Sequence, residues 1–464
     1  MDAPVSRNAD IFRELRPTLA LSFPIVIGQV SQMLMGITDS VMIGRVGVVP
    51  LAASSFAGAV FGVFYIMGIG LLLPVAVLVA RAHGQQRPAE CAAYLRHGMG
   101  LGVAAGVLGA GLMLLLSLGL AHFGQPPEVV AEVGPYFRVI ALSLVPTLIY
   151  QVLRQFSEAM GHPWSAMVVL LLCVGLNAFL NWVLIWGHLG APALGLEGAG
   201  WATLIARCVA VVALWMWLHH YKDLQAAWPR QWRAAWERAR MREMLAVGVP
   251  ACGQLLFEAG AFSAAALMMG WLGTVPLAAH QIAINCASAT FMVPLGLALA
   301  TSVRIGRTVG EGRSEALRPI GYGAIGAGVV FMGVAAVNFA VFGVWLARAF
   351  TPEGEVVMLA AQLLVVAAVF QMFDGAQVIG AAALRGLTDV KVPTVITFIA
   401  YWVLALPGGY MLAFHSPLGP LGVWSGLALG LAFAAVLLGR RFHQKTSPAN
   451  LTHLKTPEAG TLLH

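Results

Sequence analysis

Long apolar segments, separated by short polar or basic ones, recur along this 464-residue chain. The segment 24–43 is uncharged until Asp39, and the segment 98–120 contains no ionisable side chain. A helix needs about 20 apolar residues to cross the hydrocarbon core of a membrane, so both segments are long enough to span it. Lipid offers the backbone no hydrogen-bond partners, and the segments lack the period-two alternation of a barrel strand. The pattern therefore predicts an all-α membrane protein.

Charge clusters and Gly or Pro breaks divide the chain into twelve predicted spans. They run approximately over 18–43, 50–80, 92–121, 130–158, 164–187, 197–221, 243–271, 276–304, 318–346, 355–384, 392–414 and 420–440. The longest hydrophilic stretch follows the sixth span and is rich in arginine, which predicts a connector between two halves of six spans. The predicted domains are an N-lobe (1–218), a cytoplasmic connector (219–242), a C-lobe (243–441) and a cytoplasmic tail (442–464).

The two halves are related in sequence. When residues 24–87 are shifted by 226 positions onto 250–313, 17 of the 64 pairs are identical. The segment VPLAA, for example, occurs at 49–53 and again at 275–279. Because each half has six spans, both copies cross the membrane in the same orientation. Parallel repeats of this kind are typical of transporters that bind their substrate between two lobes.

Composition supports a membrane protein, since 59% of the residues are hydrophobic and only 10% are charged, with a mean hydropathy of +0.82. The formal charge of +7 does not indicate nucleic-acid binding, because the basic residues are sorted by side of the membrane. We assign 23 of the 27 Lys and Arg residues to one side, among them Arg154 and Arg385. Basic loops face the cytoplasm. We therefore expect a bacterial inner-membrane protein whose two termini are both cytoplasmic.

Three acidic side chains fall well inside predicted spans: Asp39 in the first, Glu258 in the seventh and Asp374 in the tenth. An ionised side chain in the hydrocarbon region costs several kcal/mol, so an acid at this depth is a candidate functional residue. Glu258 lies about fifteen residues, and Asp374 about ten residues, above the cytoplasmic ends of their helices. We therefore expect the two to share one cavity in the C-lobe, while Asp39 serves the N-lobe.

The structural alternative for each acid is a salt bridge to a buried base. Arg138 and Arg207 are the bases predicted inside spans, and both belong to the N-lobe, where they could neutralise Asp39. Two carboxylates facing each other in a low dielectric disfavour ionising together, so the C-lobe pair is suited to bind a proton or a hard cation. Because the two acids interact, their titration would belong to the pair. The sequence leaves the choice between Na⁺ and H⁺ open.

Several segments also resemble one family. They are PIVIGQVSQMLMGITDSVMIGRVG (24–47), LNAFLNWVLI (176–185), LAAHQIAIN (277–285) and FQMFDGAQVIGAAALRG (370–386). With the span count and the connector, they resemble the multidrug and toxic compound extrusion (MATE) exporters of the NorM-type branch, over about residues 10–440. The resemblance implies twelve transmembrane helices in two parallel six-helix repeats that form a V-shaped pair of lobes. It also implies antiport of amphiphilic cations against Na⁺ or H⁺.

The resemblance implies roles for particular residues. The acids matching Glu258 and Asp374 form the cation site of the second lobe, a candidate Na⁺ site, and the acid matching Asp39 acts with two polar residues of the fifth span. Those two positions are Asn177 and Asn181 here, four residues apart and therefore on one helix face. Some relatives carry a carboxylate where this chain has Asn181, which cannot titrate.

A second departure lies one turn before Asp374. NorM-type relatives can carry a tyrosine there, whereas this chain has Phe370 and so loses one possible oxygen contact. Weaker candidates for supporting polar contacts are Gln281, Asn285 and Gln371, although amides in membrane helices also commonly form interhelical hydrogen bonds. His280 is interpreted either as a buried structural histidine or as a pH-sensitive element.

Two other functions are alternatives to secondary active efflux. A lipid-linked oligosaccharide flippase of a related fold is expected to need a more cationic cavity, whereas this chain places acids at depth. A membrane enzyme would need a reactive cluster, and the sequence contains no HExxH, no GxSxG and no phosphate-binding P-loop. We therefore expect no enzymatic activity, no cofactor and no use of ATP. The expected partners are small amphiphilic or cationic drugs and toxins and the lipid bilayer, with the protein acting as a monomer.

Overall fold

The computed structural model describes residues 7–124, 126–232 and 236–447, and within these ranges the regular structure is helical and contains no strand. The main helices are α1 (Arg7–Gly44), α2 (Val48–Leu72), α3 (Pro74–Gly84), α4 (Pro88–Ser117), α5 (Pro127–Ala159), α6 (Pro163–Trp186), α7 (Gly195–His220), α8 (Arg238–Leu272), α9 (Thr274–Gly310), α10 (Leu317–Arg348), α11 (Gly354–Gly386), α12 (Lys391–Phe398), α13 (Leu406–Phe414) and α14 (Pro420–Lys445). Twelve segments in the described part are long and apolar enough to cross a membrane. The prediction of an all-α membrane protein with twelve spans is confirmed.

Two spans are broken. The second consists of α2 and α3, which meet at Leu73, and Pro74 starts α3 because a proline at the first helical position has no N–H to leave unpaired. In the eleventh span, a π-helical turn, Ile399–Ala405, joins α12 to α13. Such turns insert a residue into a helix and occur frequently at functional sites. The sequence pattern predicted each span only as a continuous apolar stretch.

The chain forms two compact units, one comprising Met1–Val26 with Gly253–His464 and the other Ile27–Cys252. The unit boundaries therefore fall inside α1 and α8, and each of these helices begins in one unit and ends in the other. The predicted lobes, divided at residues 218 and 243, stay a prediction. Parts of the predicted connector (233–235) and tail (448–464) lie outside the described residues.

Polar contacts hold the first part of each of these two helices in its unit. In the first unit, Glu14 of α1 pairs with Arg304 at 2.5 Å and with Arg313 at 3.4 Å. In the second, the Tyr94 hydroxyl donates to the carboxylate of Glu243 on α8 at 2.7 Å. These ion pairs and this hydrogen bond therefore fix the starts of α1 and α8, the two helices that carry Asp39 and Glu258.

A row of glycines on α14 brings its backbone against the eleventh span. A Cβ atom at Gly422, Gly426 or Gly430 would lie 2.4–2.6 Å from backbone atoms of residues 400–413, closer than real Cβ atoms approach. Small residues every four positions let membrane helices pack this closely. The row therefore fixes the position of the π-helical turn and of α13.

Replacing Gly426 with alanine is expected to destabilise the protein by about 1–3 kcal/mol, because the added methyl would overlap the backbone of Gly409. The thermal unfolding midpoint of the purified protein measures this loss. Gly439 on the same helix has no atom within 4 Å of an added Cβ, so Gly439→Ala is the matched control and should leave the midpoint unchanged. Equal midpoints for the two variants would contradict the close contact.

Candidate functional site

A polar cluster surrounds Asp39 near the end of α1, in the unit Ile27–Cys252. Asn181 on α6 donates from Nδ2 to Asp39 Oδ1 at 2.6 Å, and the hydroxyl of Thr203 on α7 donates to Asp39 Oδ2 at 3.5 Å. Asn177 donates to Thr203 at 3.3 Å and accepts from Asn181 at 3.4 Å. The structure thus brings the three predicted N-lobe residues together. It adds Thr203, which sequence reasoning missed because a threonine in an apolar span carries no distinctive signal.

The two bases that could have neutralised Asp39 do not form an ion pair with it. Arg207 is close enough to interact with its charge, but its Nη1 donates to Ser143 Oγ at 2.5 Å and its guanidinium lies 4.6 Å from the centre of the Phe61 ring. Arg138 is exposed and donates to a carbonyl of its own helix. The geometry therefore favours an Asp39 that is held by neutral hydrogen-bond donors.

A cavity of about 220 Å³ opens beside this cluster. Asp39 and Arg207 line it, together with Gln32, Met35, Tyr65, Thr147, Tyr150 and Gln151. The Gln32 side chain donates a hydrogen bond to the Tyr65 hydroxyl across the cavity wall. An apolar and aromatic wall with a few convergent polar groups is typical of small-molecule sites.

A buried ion pair lies one turn along α5 from this cavity. Arg154 Nε and Glu158 Oε1 are 2.7 Å apart, and both side chains are only 5% exposed. Arg154 was counted with the basic loop residues, but it lies within α5, as within the predicted span 130–158, and its guanidinium is buried. A basic residue near the end of a span looks the same in sequence whether it faces water or a partner acid four residues away.

The second cluster lies in the other unit and contains the predicted acid pair. Glu258 on α8 is half-buried, Asp374 on α11 is 5% exposed, and their charges are close enough to interact. The Oδ1 atom of Asp374 is buried and has no hydrogen-bond partner in the described part of the chain. Gln371 accepts a hydrogen bond from Thr290 on α9 at 2.7 Å. The two acids therefore form a buried polar site whose oxygen atoms are not all satisfied by protein donors.

Two further residues of α11 accompany this pair. The charge of Arg385 interacts with Glu258, and Gln377 lies close to the Glu258 carboxyl group. Arg385 is 7% exposed, so its position in a loop was predicted wrongly: α11 runs to Gly386, two residues beyond the predicted end of the span, and Arg385 is buried. The C-lobe acids therefore do have a basic neighbour, which sequence analysis had found only in the N-lobe. Arg385 differs from a loop residue because neighbouring helices bury it. The spacing of residues along α11 does not reveal this burial.

His280 and Phe370 lie in the aromatic packing near the acid pair. Trp424 Nε1 donates to His280 Nδ1 at 3.1 Å, and both side chains are buried. An indole N–H can only donate, so Nδ1 must be unprotonated to accept it. This contact favours the structural interpretation of His280 over a pH-sensitive one. Phe370 packs 5.5 Å from the Trp424 ring and offers no oxygen to the site.

The remaining predicted polar residues are not brought to the acids. Gln281 and Asn285 on α9 are exposed, and among the described residues no hydrogen bond joins either of them to Glu258 or Asp374. Their four-residue spacing correctly placed them on one face of a helix, but on the exposed one. Which face of a span is buried depends on its neighbours, and two isolated amides do not reveal it.

Both clusters are suited to exchange a proton or a hard cation. Each offers carboxylate oxygen together with neutral amide or hydroxyl groups, and such oxygen-rich sets suit hard cations better than transition metals, which prefer imidazole or thiolate ligands. In the described part of the chain no group of three or more His, Cys, Asp and Glu side chains is arranged to hold a metal ion. The oxygen-rich geometry of both clusters therefore fits reversible binding of a small hard ion.

The comparisons with known proteins agree on one family. The MatE family model matches residues 24–183 and again residues 250–411. The two matches begin 226 positions apart, at the same shift that relates the halves of the sequence, and this confirms the internal duplication. The probable multidrug resistance protein NorM of Mesorhizobium japonicum is 37% identical to this chain, and the alignment covers 95% of this chain and 96% of that protein. The probable multidrug resistance protein NorM of Rhodopseudomonas palustris is 39% identical, and the alignment covers 94% of this chain and 93% of that protein.

Solved structures share the fold. A crystal structure of a MATE protein in a bent conformation superposes with a TM-score of 0.87 at 21% identity, covering 97% of this chain and all of that one. A eukaryotic MATE transporter superposes with a TM-score of 0.85 at 19% identity, covering 96% and 99%. At these identities the likeness establishes the fold alone.

Proposed function

Because this chain belongs to the MATE family, we propose that it is a multidrug exporter that moves amphiphilic, mostly cationic compounds out of the cell by antiport against Na⁺ or H⁺. The chain is an integral membrane protein with twelve candidate spans, and its NorM relatives are named as multidrug resistance proteins. Alternating access between the two lobes is the proposed mechanism. It uses an ion gradient and needs no ATP.

The observation that carries the coupling proposal is the buried pair Glu258 and Asp374. Two interacting carboxyl groups with an unsatisfied oxygen are costly unless a proton or a cation accompanies them. Arg385 supplies one positive charge near Glu258, so the two acids keep a net negative charge when both are ionised. An ion that binds there and leaves on the other side of the membrane supplies the driving force for export.

The N-lobe cavity supports the cargo proposal. Asp39 places a carboxylate in its wall, which also contains Arg207, while Met35, Tyr65 and Tyr150 give it apolar and aromatic surface. Methionine and aromatic side chains adapt to differently shaped ligands, and aromatic faces attract organic cations. Protonation of Asp39, or ion binding to it, would weaken the hold on a cationic compound and so link cargo release to the ion.

Transport in proteoliposomes tests the proposal. Purified protein is reconstituted, and uptake of a fluorescent organic cation is followed under an imposed Na⁺ gradient and, separately, an imposed pH gradient, without ATP. We expect transport under at least one gradient and none without a gradient. Transport that ignores both gradients would contradict antiport, and transport of lipid-linked sugars in place of the cation would favour the flippase alternative.

The basic loops support an inner-membrane location with both termini in the cytoplasm. A tag inserted at residue 230, which is exposed, and a tag at the C-terminus are therefore expected to react only after the cell membrane is permeabilised. Accessibility labelling of intact cells measures this. A tag in the exposed segment at Leu189 serves as the control and should react in intact cells. Labelling of residue 230 in intact cells would contradict the predicted topology.

A further inference from the structure

One buried hydroxyl group near the acid pair has no partner. Tyr401 lies in the π-helical turn Ile399–Ala405, its side chain is 0% exposed, and its hydroxyl forms no hydrogen bond with any described residue. It is close enough to both Glu258 and Asp374 for electrostatic interaction with each. A buried hydroxyl left without a partner costs about 1–3 kcal/mol. The cost calls for a partner that the protein itself does not provide.

The surroundings of Tyr401 explain why no protein group fills this role. Its ring packs 6.1 Å from the Phe262 ring, and Phe262 in turn lies 6.0 Å from Phe370, so the wall on that side is purely aromatic. Phe370 carries no oxygen. The charged groups that interact with Tyr401 are the two carboxyl groups, and Asp374 has a buried oxygen that also lacks a partner among the described residues.

Two contacts hold the π-helical turn that carries the Tyr401 hydroxyl. A Cβ atom at Gly430 of α14 would lie 2.5 Å from the Ala400 carbonyl oxygen, so α14 packs directly against the start of the turn. The next residue after Tyr401, Trp402, donates from Nε1 to the Phe257 carbonyl at 3.0 Å, which ties the turn to the residue before Glu258. The π-helical turn is thus anchored to both helices that flank it and presents Tyr401 to the acid pair.

We propose that the Tyr401 phenolic oxygen is a neutral ligand for Na⁺, which it binds together with the carboxylates of Glu258 and Asp374. The assignment rests on the proposed ion coupling at this pair. Na⁺ takes oxygen ligands, and a neutral phenol adds one without adding charge.

Equilibrium binding of radioactive Na⁺ to the purified full-length protein tests the assignment with Tyr401→Phe. We expect about tenfold weaker Na⁺ binding, equivalent to about 1.4 kcal/mol. The unfolding midpoint should be unchanged or slightly raised, because the variant removes a buried hydroxyl that has no protein partner. Tyr410→Phe, an exposed tyrosine of the same span, is the control and should bind Na⁺ like the wild type.

Each other outcome overturns the assignment. Unchanged Na⁺ affinity in Tyr401→Phe would mean that the phenol is not a ligand, and a variant that no longer folds would mean that the hydroxyl has a structural partner. If the wild type binds no Na⁺ while efflux still depends on Glu258 and Asp374, the coupling ion is a proton. In that case the sodium assignment fails and the proposed function stands. If efflux is independent of both acids and of any ion gradient, the proposed function itself fails.

Discussion

Glu258→Gln and Asp374→Asn are each expected to lower ion-driven efflux about tenfold or more, a loss that needs only about 1.4 kcal/mol. Both changes keep the side-chain volume and remove a negative charge, so packing should survive and the loss should be electrostatic. The measurement is gradient-driven transport in proteoliposomes. Glu355→Gln, an exposed acid in the first turn of the helix that carries Asp374, is the matched control and should transport normally.

The double variant distinguishes one shared site from two. If both acids bind the same ion, combining Glu258→Gln with Asp374→Asn should cost little beyond either single change, because residues that act as a unit are strongly non-additive. Drug binding without a gradient should persist in part, since the N-lobe cavity is untouched. Losses that multiply would indicate separate sites, and full activity of either single variant would remove that residue from the coupling mechanism.

The second large effect is expected at Asp39. Asp39→Asn should lower drug efflux about tenfold or more, because the cavity loses a carboxylate and keeps the positive charge of Arg207, which repels a cationic compound, while the protein should still fold. The amide oxygen can still accept the hydrogen bond from Asn181, and the amide nitrogen that replaces the other oxygen can donate to the Thr203 hydroxyl, which also donates to the Ala199 carbonyl. Efflux of an organic cation is the measurement, with expression and the unfolding midpoint as checks. Asp223→Asn, an exposed acid in the connector, is the control.

A different result would favour the salt-bridge alternative. If Asp39→Asn fails to fold and an added Arg207→Gln restores folding, then Asp39 serves mainly to balance the Arg207 charge. The contacts argue against this, because Arg207 donates to Ser143 and lies over Phe61 while Asp39 is held by neutral donors.

Much of the fold was predictable because the bilayer imposes a strict rule on sequence. Each span must be long, apolar and helical, since lipid satisfies no backbone group. The apolar segments therefore predicted all twelve candidate spans, and the matched segments of the two halves predicted the duplication that the MatE matches at 24–183 and 250–411 confirm. The same rule makes a charge inside a span conspicuous, which is how Asp39, Glu258 and Asp374 were found.

The composition of each cluster was less predictable. Thr203 and Tyr401 are ordinary residues of apolar spans, and only their contacts or their lack of partners distinguish them. Arg154 and Arg385 were assigned to loops because a base near a span end is usually in water. Gln281 and Asn285 share a helix face as predicted, but it is an exposed face.

The sequence by itself determined that the chain crosses a membrane, the number and order of the spans, the duplication and the presence of three acids inside spans, because hydropathy and charge act locally along the chain. Only the tertiary structure decided which polar groups meet at those acids, because the rotation of each span about its axis follows from packing against neighbours far away in sequence. The π-helical turn at Ile399–Ala405 depends on glycines of α14. Likewise, α1 and α8 each divide between two compact units because long-range contacts, such as Glu14 with Arg304 and Tyr94 with Glu243, hold the first part of each helix.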